Sequence, residues 1–106
     1  MTRRVLPDRR PGLRFDLEHG GFDLNVMIGM PEPGEAAEVF VSAHRKIGTP
    51  LMASVRDSAI LVSLLLQHGC DIGTIAGALT READGMPASP AGAVVDAMVA
   101  QIGDLA

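Results

Sequence analysis

The sequence predicts an α+β fold, a small three-stranded antiparallel meander followed by three helices packed on one of its faces. Apolar residues alternate with charged ones over one segment near the start and mostly with polar ones over a second, with a glycine pair between them. Apolar spacing then changes to three and four from residue 49 onward, the period of helices. Strands followed by segregated helices belong to this class.

The first strand is expected over 13–19, where Leu13, Phe15 and Leu17 alternate with Arg14, Asp16 and Glu18. Gly20 and Gly21 supply the positive φ angles of a two-residue hairpin turn. A second strand over 22–29 sets Phe22, Leu24, Val26 and Ile28 against Asp23, Asn25 and Met27. Pro31, Pro33 and Gly34 make a loop, and the apolar, β-branched stretch 38–43 is a third strand. Thr49 followed by Pro50 is an N-cap and first helical residue, opening a helix that runs to about His68 before Gly69 ends it. Met52, Val55, Ala59, Val62 and Leu66 form one stripe on this helix, while Ile60, Leu61, Leu64 and Leu65 add apolar groups on other faces. Such a helix is buried on more than one side, so later helices and a second subunit are expected to cover it. Asp71 caps a second helix over 72–80, with Cys70 and Ile75 at the positions of a hydrophobic staple. Ser89 and Pro90 repeat the cap-and-proline signal for a last helix over 91–102, whose inner face carries Val94, Val95, Met98, Val99 and Ile102.

A chain of 106 residues with 47% hydrophobic content is one domain, read as a basic arm over 1–12 and a single α+β domain over 13–106. No signal peptide fits, because Pro7, Asp8, Arg9, Arg10 and Pro11 occupy the place of an apolar core, and the apolar run 59–66 is about half a membrane span. The single Cys70 forms no internal disulfide, which fits a cytoplasmic location. Three Phe without Trp or Tyr leave few platforms for stacking bases. Charge is uneven: residues 1–14 hold five Arg and one Asp, a net of +4, so the rest of a chain of net charge -4 carries -8.

No catalytic residue, metal site or cofactor is assigned. His68 and Cys70 have a chelating spacing, but a helix C-terminal dipole accounts for the imidazole and a staple for the thiol. Ser63 lies mid-helix, where its hydroxyl bonds back to a carbonyl, and no nucleophile elbow is present. Asp16, Glu18 and Asp23 take outward positions, and Gly73 and Gly77 lack the spacing of a phosphate loop. Two features are candidate ligand-binding groups. Arg9 and Arg10, with Arg3 and Arg4, offer planar forks matched to phosphate, or else lie on the acidic body. Lys46, Gly48 and Thr49 place a cation beside the positive N-terminal end of the long helix, as an anion pocket or as a plain capped loop. Asp57, two turns into that helix, is a buried acceptor or a surface group.

Arg9-Arg10, the strand Glu38-Val39-Phe40-Val41, Lys46-Ile47-Gly48-Thr49, Asp57 and above all Ser63-Leu64-Leu65-Leu66-Gln67-His68-Gly69 together resemble the TSCPD domain over about residues 6 to 80. That domain occurs near the C-terminus of adenosylcobalamin-dependent ribonucleotide reductases and as small stand-alone bacterial proteins. Two positions depart from its pattern: Ala37 stands where the family usually has Gly, and Pro50 follows Thr49. The resemblance implies an accessory or interaction module. It does not imply ribonucleotide reduction, whose cobalamin and catalytic cysteines belong to a much larger barrel. The expected partners are a second copy of the chain and a reductase-like protein, with a phosphorylated small ligand as the alternative and nucleic acid disfavoured.

Overall fold

The computed structural model describes residues 12–32, 35–43 and 49–105. Its sheet is the expected meander, in the order β1 (Gly12–His19), β2 (Phe22–Gly29), β3 (Glu38–Ala43), with both neighbouring pairs antiparallel. Gly20 and Gly21 adopt φ of +58° and +86°, the paired left-handed geometry whose twist matches the flanking strands. Glu18 Oε1 accepts the Gly21 N–H at 2.8 Å and closes the turn.

The register sorts the two faces. Leu13, Ile28 and Val39 stand in one rung, Phe15, Val26 and Val41 in the next, and Leu17, Leu24 and Ala43 in the third. These rungs form the inner face and join the core. On the outer face Arg14, Met27 and Phe40 share a rung, where Arg14 Nη2 lies 3.3 Å from Met27 Sδ, and Asn25 donates to Asp16 at 3.1 Å.

Helices α1 (Pro50–Gln67), α2 (Ile72–Ala78) and α3 (Pro90–Leu105) follow. Each has the N-cap its sequence announces. Thr49 Oγ1 accepts the Met52 N–H, Asp71 Oδ2 the Thr74 N–H and Ser89 Oγ the Gly92 N–H, at 3.0 to 3.2 Å. Gly69, at φ +92°, turns the chain out of α1. The helix over 72–80 stops two residues early, because Leu79 is extended and turns its side chain onto the core. The last helix starts at Pro90 itself and runs past Ile102 to Leu105.

Helix α1 packs against β3, α3 against β1 and β2, and α2 against α3. Met52, Val55, Ala59 and Val62 of α1 meet Leu24, Val26 and Ile28 of β2, Ile75 of α2, and Val94, Val95 and Met98 of α3 in one core. Half-buried Cys70 sits at its edge, where a staple residue belongs.

Candidate functional site

Two of the segments that carry the family resemblance, 38–41 and 63–69, are brought together where α1 lies along the outer edge of β3. Ala37 donates its N–H to Gly29 O at 2.9 Å while Glu38 is the register partner of the same glycine. Two residues thus oppose one, a β-bulge that resets the edge. A Cβ on Gly29 would fall 2.5 Å from Glu38 Oε1, so the missing side chain makes room for the buried Glu38. Beyond the bulge, Val39 turns its backbone away from β2. Ser63 of α1 meets it there: its hydroxyl accepts the Val39 N–H at 2.9 Å and lies 3.1 Å from Val39 O. The same hydroxyl is 2.9 Å from Ala59 O, the expected backward bond within the helix. One turn on, Gln67 is buried and donates to Ala37 O at 3.1 Å. A serine and a glutamine four residues apart therefore do for this edge what a fourth strand would do.

The same packing leaves a groove between α1 and β3, a cavity of about 420 Å³ bordered by Phe40, Val41, Arg56, Ile60 and Leu64, with Ser63 and Gln67 also in its lining. Non-hydrogen-bonded pairs alternate along an antiparallel ladder, so Val41, two residues after Val39, also turns its backbone toward the groove. Phe40 is 51% exposed on the outer face beside it. The apolar surface continues over α1, where Ile60 and Leu61 are 56% and 61% exposed and Leu65 is exposed as well. The second apolar face of α1 is thus not covered by the helices of its own chain. By length and mean hydropathy, 1.2 over 18 residues, α1 is also apolar enough to cross a membrane, longer than the 59–66 run implies; a third of that span is buried inside the domain.

Of the sequence-predicted ligand groups, Arg9, Arg10, Lys46 and Gly48 lie outside the described residues. Thr49 is exposed, its hydroxyl committed to the cap, and the first turn of α1 carries no acidic side chain. Asp57 is exposed on α1, the surface alternative rather than the buried acceptor. Among the described residues no group of three or more His, Cys, Asp or Glu is placed to hold a metal ion.

Sequence reasoning missed one charged cluster. Arg81 forms a bidentate ion pair with Asp96 of α3, at 2.7 and 2.8 Å, and also donates to Ala76 O at the end of α2 and to Gly85 O in the connecting loop. Hydrogen bonds from Arg81 hold the Asp96 carboxyl below the ordinary carboxylate range. The cluster fastens the 81–88 loop to two helices, a structural task.

Comparison with known proteins finds similarity to a known enzyme. The chain is 32% identical over 78 residues, 74% of its length, to a vitamin B12-dependent ribonucleotide reductase of Bradyrhizobium diazoefficiens. It spans only 6% of that enzyme's length. No known family profile matches the chain, and no solved structure is detectably similar.

Proposed function

We propose that this chain is a non-catalytic accessory module of TSCPD type, working in the cytoplasm as a homo-oligomer that binds a protein partner. The first candidate partner is a B12-dependent ribonucleotide reductase, because the chain is similar to a small part of one. One observation carries the reading: an apolar surface that the described elements leave open, running from Phe40 across the groove to Ile60 and Leu61. Contiguous exposed apolar surface marks interaction sites. The residues around the Ser63 hydroxyl argue the same way, since its bonds to Val39 and Ala59 make it a structural tie rather than a nucleophile.

The test is recovery of the affinity-tagged chain from its own cells, followed by reconstitution with the purified reductase. Stoichiometric binding that Phe40→Glu weakens is expected. A reductase that ignores the wild-type chain would refute the choice of partner.

A second reading, binding of a phosphorylated small ligand, rests on Thr49 capping a first turn free of carboxylates, next in sequence to Lys46 and Gly48. Nucleotide titration at physiological salt examines it. Saturable binding abolished by Arg9→Ala or Lys46→Ala would put this reading first.

A further inference from the structure

The open face of α1 has a symmetry that no single-chain role requires. Asp57, Leu61, Leu64 and His68 follow one another at spacings of four, three and four, so they lie in a single row. The row is opposite Met52, Val55, Ala59 and Val62, which the core buries. Ile60 and Leu65 flank it, one on each side. Reversing the helix about the midpoint between Val62 and Ser63 exchanges Leu61 with Leu64, Ile60 with Leu65, and Asp57 with His68.

We infer that this face is closed by the α1 of a second copy of the chain, packed antiparallel about a two-fold axis at that midpoint. The inference rests on reading the chain as a self-associating module and supplies the surface. In the seam Leu61 packs on the partner's Leu64 and Leu64 on the partner's Leu61, the opposed knobs of an antiparallel helix pair. Asp57 stands level with the partner's His68, which gives two acid–base pairs about 16 Å from one another along the seam, given 1.5 Å per residue. A two-fold interface must be its own complement, and this row is. Charge also decides direction, since parallel pairing would set Asp57 level with the partner's Asp57. Ile60 and the partner's Ile60 close the edge nearest Phe40, whose exposed ring prolongs the apolar surface.

The oligomeric state of the purified full chain tests this, by sedimentation from low micromolar to submillimolar concentration, with helical circular dichroism checked for every variant. Wild type is expected to be a dimer. Leu61→Glu, at an exposed position, and Leu64→Glu, at a half-buried one, should each weaken it by about thirtyfold or more, the scale of a central interface residue. Leu51→Glu, on α1 but outside the row, should leave it unchanged. Asp57→Lys should weaken the dimer, and adding His68→Glu should restore it. A folded wild-type monomer at every concentration overturns the inference, as does a dimer indifferent to both leucine variants. Failure of the exchange pair to restore association overturns the antiparallel register. Loss of reductase binding with dimerisation intact would instead count against the proposed partner.

Discussion

Ser63 shows how much one hydroxyl can hold. It sits among leucines where a methyl would pack, and its bonds to Val39 stop a strand edge from needing water. Ser63→Ala is therefore expected to cost about 1 kcal/mol, the net worth of a hydrogen bond at a half-buried site on the wall of the groove. Exposed Ser54 on the same helix serves as the control, with Ser54→Ala within about 0.5 kcal/mol of wild type. Chemical denaturation of the two variants measures the contrast, and equal midpoints would show that the bond to the edge is worth nothing. The backward bond from Ser63 to Ala59 was legible in the sequence, since any mid-helix serine has that carbonyl within reach. The bond to Val39 was not, because the two are 24 residues apart and nothing local marks the pairing. That Asp57 is a surface group and not a buried acceptor is likewise a matter of packing: the helix period places it, but only the docking of α1 on β3 decides which side faces water.

Among the elements, those whose signals are local were read most fully. Alternation marked the first two strands and their inner face, β-branched content marked the third, and three caps marked three helix starts, because each depends on neighbours in sequence. The ends of α2 and α3 depend on what they pack against and shifted accordingly. The bulge at Ala37 and Glu38 was invisible for the same reason. So was the Arg81 cluster, whose partner lies 15 residues away on α3. That pair has a pH signature. Asp96 has a folded pKa below its ordinary value of 3.8, so the pair's contribution is complete above that value and disappears as pH falls through the lower one. Thermal unfolding followed downward from pH 5 should show wild type losing stability more steeply than Asp96→Asn. Parallel curves would mean that solvent screening has removed the effect, as it does for many exposed pairs.

For the whole molecule, charge and apolar surface point to different partners. The -8 carried by residues 15–106 repels a polyanion that the five arginines of residues 1–14 would attract. Duplex DNA approaching the basic segment also approaches the acidic one. Binding no tighter than about 0.1 mM at physiological salt, the weak nonspecific range, is the expected result of a titration. Micromolar affinity falling steeply with salt would contradict the protein-module reading. The apolar face raises no such conflict, since a second copy or a protein partner covers it without bringing a charged backbone. Composition alone made this contrast legible; the location of the open face on α1 and Phe40 needed the register of β3.

The latch between α1 and β3 also has a kinetic side. The hairpin and the meander are closed by contacts near in sequence, so they form as soon as residue 43 is free to fold. Their outer edge, however, waits for Ser63, 24 residues later than Val39. At a synthesis rate of about 5–20 residues per second, the 20 residues from 43 to 63 take about one to four seconds. During it the sheet displays Val39 and Val41 on an unguarded edge, with the apolar inner face still without its helices. Every newly made copy therefore passes through a window in which its sheet is ready to pair with another chain, and the arrival of α1 closes it.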